Sequence, residues 1–221
     1  MTLDVSSYEK DFKKAVNSFG RSETEQLCRQ LVTDLRAADE SFDPDVARRI
    51  LGHLQRKRYF DLLQRVADAF QQTGLQTPGI RKQYAQALID QGLLSAAVPY
   101  LERLAKQTEG QPEDAYEHSG SRGLLGRAYK QIYVDLASPG SPEAIGALNQ
   151  AIGCYRSVYR GDPAEYSWHG INTVALLHRA AVDGIPVHGI SDPDWRAILL
   201  AQEILQRMTV KWDNGTACRG E

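Results

Sequence analysis

A chain of 221 residues is long enough to bury a substantial apolar core, as one or two domains or as one short repeat array. Its 26 basic and 28 acidic side chains give a formal charge of -2, which removes the broad basic field of a nonspecific nucleic-acid binder. Three separated cysteines without a CxxC pair, no signal-type apolar core at the N-terminus and no apolar run near the ~18 residues that span a bilayer point to a soluble, cytoplasmic protein without membrane, disulfide framework or structural zinc.

Apolar positions recur at helical spacing from the first residues onward, as Tyr8, Phe12, Ala15, Val16 and Phe19, then Leu27, Leu31, Val32 and Leu35. Ser22 followed by Glu25 predicts a capping box at the start of the second of these helices. Asp43-Pro44 opens a helix with Val46, Ile50, Leu51 and Leu54 on one side. After a short break, Leu62, Leu63, Val66 and Phe70 form the face of the next, with Gly74 as its stop. Thr77-Pro78 begins a helix carrying Tyr84, Ala85 and Leu88, Gly92 makes the turn, and Ala97, Leu101 and Leu104 mark its partner. Pro99 in that partner implies a late start or a slight kink.

The centre of the chain carries the most specific pattern. Leu125, Gly126 and Tyr129, and then Ala151, Tyr155, Val158 and Pro163, keep the offsets of the two helices of a tetratricopeptide repeat (TPR), where small residues let backbones approach. Gly126 and Ala151 are 25 positions apart, whereas a repeat of roughly 34 residues places them about 12 apart. Both helices must therefore be lengthened, with Ser138-Pro139-Gly140-Ser141-Pro142 as their turn. A helix from about Tyr166 to Ala181 follows, apolar through Ile171, Val174, Ala175 and Leu177. After the long turn GIPVHGISDP comes a last helix with Trp195, Ile198, Leu199, Ile204 and Leu205 inward, and Trp212 reads as the start of a further repeat.

No segment alternates with period two, so the fold class is all-α: a TPR-like right-handed superhelix of antiparallel hairpins with one elongated central hairpin, forming a single domain over 1–221. Within it, 1–40 hold N-terminal helices, 43–107 two repeat hairpins, 113–163 the elongated hairpin and 165–221 a C-terminal repeat that reads as cut short.

At GRAYK, at AIGCYRSVY and from Tyr166-Ser167 through GINTVALL, the chain resembles the TPR region of the apoptosis signal-regulating kinases, described as their TRAF-binding domain, and its bacterial relatives. The resemblance covers about Arg122 to Leu177 and departs from that pattern where Trp168-His169 intervene before Gly170-Ile171-Asn172. It implies a regulatory scaffold attached to a catalytic effector, a kinase in animals and often a protease-like module in bacteria.

Counting from Gly126 places Arg127 and Lys130 on the concave face of the central repeat, and counting from Gly92 places Lys82 and Gln86 on the same face of the preceding one. Together with Arg156, and with Asn172 as the resemblance implies, these are the candidate ligand-binding residues, a cationic clamp for an acidic peptide or a phosphorylated ligand. The competing readings are solvated charges, an Arg127 paired with Asp90 or Glu117, and an Arg156 that snorkels from core packing around Tyr155 and Tyr159. Gly120, Gly123 and Gly126 follow no strand, so they are a helix-packing stripe, with close ligand approach as the lesser reading. His53, His118, His169, His178 and His188 form no metal motif, and no nucleophile or P-loop signature occurs; neither cofactor, metal nor catalytic residue is expected. The expected function is a non-enzymatic TPR scaffold or sensor that binds a protein segment or anionic ligand in its groove and regulates a partner effector. The alternative is the regulatory domain of a larger kinase or protease effector whose catalytic part is absent from this chain.

Overall fold

Helix-stop and helix-start signals divide this sequence so often that short antiparallel hairpins are the natural outcome. The structure, a computed structural model, describes residues 5–18, 20–37, 42–136 and 138–213. Among these residues lie ten α-helices, one 3-10 turn and no strand longer than the isolated bridge between Val187 and Ile190. The helices are α1 (Val5–Asn17), α2 (Arg21–Ala37), α3 (Pro44–Arg56), α4 (Phe60–Gln72), α5 (Pro78–Asp90), α6 (Leu94–Thr108), α7 (Ala115–Asp135), α8 (Pro142–Gly161), α9 (Ser167–Val182) and α10 (Pro193–Asp213). The chain divides into two compact units, Met1–Ser121 and Arg122–Glu221, and the boundary falls inside α7.

In the first unit α1 packs on α2 and α3, α3 on α4 and α5, α2 on α4, and α5 on α4 and α6. Odd helices thus lie beside odd and even beside even, the stacking of a hairpin repeat in which each pair buries the apolar face its neighbour leaves open. Asp43 caps α3 by accepting from the amides of Asp45 (2.8 Å) and Val46 (3.3 Å), with Pro44 preset for the first turn. Gly74 and Gly92 close α4 and α5 at φ of +90° and +78°, where any Cβ would be strained. The core is aliphatic and phenylalanine-rich: Leu31, Ile50, Leu54, Leu63, Val66 and Phe70 are sealed from solvent, and the Phe42 and Phe70 rings sit 5.1 Å apart.

The long helices are α8, in the second unit, and α7, which crosses the boundary. At 21 and 20 residues, α7 and α8 exceed the 13 to 15 of α3 to α6, as the displaced small residues of the sequence require. Ser141 caps α8 by accepting from the Ala144 amide at 3.2 Å. α9 packs on α8 and α10 around a core that mixes Leu148, Ile152, Leu177 and Leu200 with the small Ala144, Ala147 and Ala151 and the rings of Tyr133, Tyr155 and Tyr159.

Several sequence expectations are corrected. α2 begins at Arg21, so Ser22 lies inside the first turn rather than at its cap, and the Gly20 carbonyl instead receives the Thr24 amide and hydroxyl, each at 2.8 Å. Pro99 stands within α6, whose helix starts at Leu94 and continues past it, sacrificing one backbone hydrogen bond. Of the residues expected inward on α10, only Ile204 is buried; Trp195 (57% exposed), Ile198, Leu199 and Leu205 face solvent, and Ala197, Leu200 and Ile204 form the packed stripe. On α9 likewise, Ile171 and Ala175 are exposed while Gly170, Thr173, Leu176, Leu177 and Ala180 are buried, and Trp168 is 67% exposed. Both helices carry apolar residues on two faces, and close crossings select the small ones: a Cβ on Gly170 would lie 2.7 Å from the Tyr159 ring and 2.8 Å from Ile204. Trp212 falls in the last turn of α10 rather than opening a new element, because no Gly or Pro interrupts ILQRMTVKWD. Phe19 and Cys218 lie outside the described residues.

Candidate functional site

Two of the expected groove residues lie in the first unit, and both are engaged there. Lys82 on α5 forms an ion pair with Glu117, the side chains 17% and 12% exposed, and its ammonium stands 4.3 Å above the Tyr116 ring. Gly120 gives this lysine its room, since a Cβ there would come within 2.9 Å of Nζ. Arg48 adds a second cation 3.9 Å from Glu117. Gln86 accepts a hydrogen bond from Gln55 at 3.1 Å.

The second unit brings Lys130 and Asn172 together. Lys130, two helical turns after Gly123 on α7, donates from Nζ to Asn172 Oδ1 at 3.3 Å, and its ammonium stands 6.0 Å from the centroid of the Tyr155 ring. Asn172 is 8% exposed, and its amide nitrogen in turn donates to the Trp168 carbonyl at 3.0 Å, which fixes its oxygen toward the lysine. Among the described residues no carboxylate lies within ion-pair distance of Lys130. Burial, and then the charge of Arg127 one turn away, hold the Lys130 ammonium below the ordinary lysine value.

Glycines on α7 make this arrangement sterically feasible. A Cβ at Gly126 would press to 2.8 Å from Tyr155, and one at Gly123 to 2.6 Å from Nε2 of His169. The Tyr155 and His169 rings lie 5.9 Å apart, and Tyr166 meets His169 edge-on at 5.5 Å. Burial pushes the Tyr155 phenol up to about 12 and the His169 imidazole down, so His169 is neutral at pH 7. Its Nδ1 is buried without a hydrogen-bond partner. Sequence reasoning passed over His169, whose one signal was Gly123, a gap in α7 of the size an imidazole fills.

Arg156 lines a cavity of about 120 Å³ bounded by α8, α9 and α10, in the company of Arg160 and Arg196. His178 pairs with Asp194 at 2.9 Å, no group of three metal-ligating side chains occurs among the described residues, and Cys28 and Cys154 are buried, with the Cys28 thiol pushed up to about 12 by burial. No described helix is long and apolar enough to cross a membrane.

Compared with known proteins, residues 55–177, just over half of the chain, match the family model described as Tetratricopeptide Repeats-Sensor. No curated protein matches the chain significantly.

Proposed function

We propose, from the premise that this chain belongs to the Tetratricopeptide Repeats-Sensor family, that it is a non-enzymatic cytoplasmic sensor module whose α7 face takes an anionic ligand or acidic protein segment and thereby regulates a partner effector. Helical repeats of this kind work as binding surfaces, because stacked hairpins leave one row of helices exposed along its length. The likeness of GRAYK and its neighbours to the TPR region of the apoptosis signal-regulating kinases supports the regulatory half of the reading.

One observation carries the ligand half. Lys130 is partly desolvated, yet its hydrogen-bond partner is a neutral amide, so its full positive charge is unmatched and positioned. An incoming carboxylate or phosphate would supply the missing counter-charge, with Arg127 one turn earlier on the same helix as a second donor. His169, with Nε2 toward Gly123 and a buried Nδ1 that lacks a hydrogen-bond partner, packs against the same Tyr155 ring that the Lys130 ammonium faces.

Losing one charge-assisted contact costs about 1.5 to 3 kcal/mol of binding. Native mass spectrometry of the purified chain against a panel of carboxylated and phosphorylated metabolites, with acidic peptides as a second panel, should find a ligand for the wild type that Lys130→Gln holds at least about tenfold more weakly. Arg127→Glu combined with Lys130→Glu should abolish that binding while far-UV circular dichroism stays helical. Equal affinity in wild type and double variant would refute the reading.

A further inference from the structure

Arg156 and Arg160 stand one turn apart on α8, and Arg196 reaches the same cavity from the first turn of α10. Its floor is buried and largely apolar, formed by Leu177, Leu200 and the ring of Tyr159. Among the described residues none of the three guanidinium groups has a carboxylate within ion-pair distance. The single carboxylate on the lining, Glu203, is already engaged, accepting from the Tyr159 hydroxyl at 3.0 Å and from Arg207 Nε at 3.2 Å. Burial, and then repulsion from Arg160 and Arg196, weaken the hold of Arg156 on its proton. A fold gathers three like charges over an apolar floor at a cost in free energy, and an anion seated among them reverses that cost.

We propose that this cavity is a binding site for a phosphate-type dianion, either the free ion or the phosphate group of a larger ligand. Charge and donor number select that class. Three arginines face one carboxylate that also pairs with Arg207, so two to three positive charges are in excess, which a dianion offsets more fully than a monoanion, and three planar donor forks exceed what the two oxygens of a carboxylate accept. Size selects it too. At about 120 Å³ the cavity is far below the ~300 to 1,000 Å³ that encloses a whole drug-sized molecule, so it seats a compact head group and leaves the rest of any larger ligand outside. The site is separate in its residues from the Lys130 cluster and does not depend on it.

The test uses the full chain in thermal unfolding and amide hydrogen exchange, with inorganic phosphate, phenyl phosphate or acetate added at ionic strength matched by sodium chloride. Phosphate should raise the melting temperature by on the order of 5 °C at a hundredfold excess over its dissociation constant. It should also slow exchange in α8 and α10, the two helices that supply the arginines. Acetate should do neither. A response to both phosphates supports attachment through a head group, and a response to inorganic phosphate alone supports the free ion. Arg160→Gln and Arg196→Gln should each weaken the phosphate response about tenfold or more, and unliganded they should melt at or above the wild-type temperature, since each relieves repulsion. An arginine kept only for packing would behave in the opposite way. Lys106→Gln, at an exposed position on α6, should retain the whole response. The proposal is overturned if wild type responds to phosphate no more than to chloride, if acetate acts equally, or if both arginine variants keep the wild-type response; should Arg196→Gln not fold, the exposed Arg160 variant decides.

Discussion

The two units solve the same packing problem with the same aliphatic residues but different aromatic ones, phenylalanine in the first and tyrosine in the second. Residues 5–121 fill their core with Leu, Ile, Val and Phe and tie their cations to acids: Arg21 to Asp61 at 2.8 Å, Arg49 to Glu9 at 2.7 Å, Lys82 to Glu117. Residues 122–213 add tyrosines and close-packed glycines to leucine, isoleucine and alanine, and beside the pairs Arg179–Asp183 and Arg207–Glu203 they leave Lys130, Arg156, Arg160 and Arg196 without a carboxylate partner among the described residues. Small residues bring backbones close, tyrosine fills the gap with an apolar ring, and its hydroxyl carries a polar group into the interior: Tyr133 donates to Asp183 and Tyr159 to Glu203.

The contrast is broken most severely by emptying the first core. Phe70→Ala, at a ring wholly sealed from solvent and tilted against Phe42, should cost about 3 to 5 kcal/mol in urea unfolding. The second unit is vulnerable instead to filling. Ala151→Leu should cost about 1 to 3 kcal/mol by overpacking, and a melting temperature unchanged by it would argue against a tight α8 crossing. Glycine makes the point more sharply, since one substitution should act with opposite signs. Gly126→Ala drives a methyl into Tyr155 and should destabilise by about 1 kcal/mol or more, whereas Gly153→Ala, with nothing within 4 Å, should stabilise by up to about 1 kcal/mol through helix propensity.

A weaker effect tests what the units share. His53 and His169 are both held below the ordinary imidazole value, chiefly by burial, and Arg56 donates to His53 Nδ1 at 2.5 Å. The unfolded chain therefore binds protons that the folded chain does not, so their contribution is complete above about pH 6.5 and is lost as pH falls below it. Urea midpoints at pH 7.5 and 5.5 should differ less in His53→Gln and in His169→Gln than in wild type; unchanged differences would show that neither ring is held neutral. The smallest effect belongs to Arg58, at φ of +59° in the turn after α3, where Arg58→Gly should gain about half a kcal/mol in the same measurement.

Much of the first unit was legible because its boundaries are punctuated. Asp43-Pro44, Thr77-Pro78, Gly74 and Gly92 each act through local geometry that a sequence displays directly. The inward faces of α9 and α10 were not, because apolar residues occupy two faces and the choice between Ile198 and Ala197 is made by the neighbour across the crossing. Lys130 was named by counting from Gly126 and Asn172 from a resemblance, and the structure sets them 3.3 Å apart. His169 left only the trace of Gly123, and Arg160 with Arg196 left none, because three arginines on two helices converge only when α8 and α10 have folded around the same cavity.

The exposed indoles of α9 and α10 have a spectroscopic corollary. All three tryptophans, Trp168, Trp195 and Trp212, lie after Ser121 and none before it, so intrinsic fluorescence reports on one half of the molecule, while ellipticity at 222 nm sums helices from both. With Trp168 and Trp195 largely in water, acrylamide should quench much of the native emission already. Superimposed fluorescence and ellipticity melts would mark one cooperative transition, and separated melts would give each half its own midpoint without any label being attached.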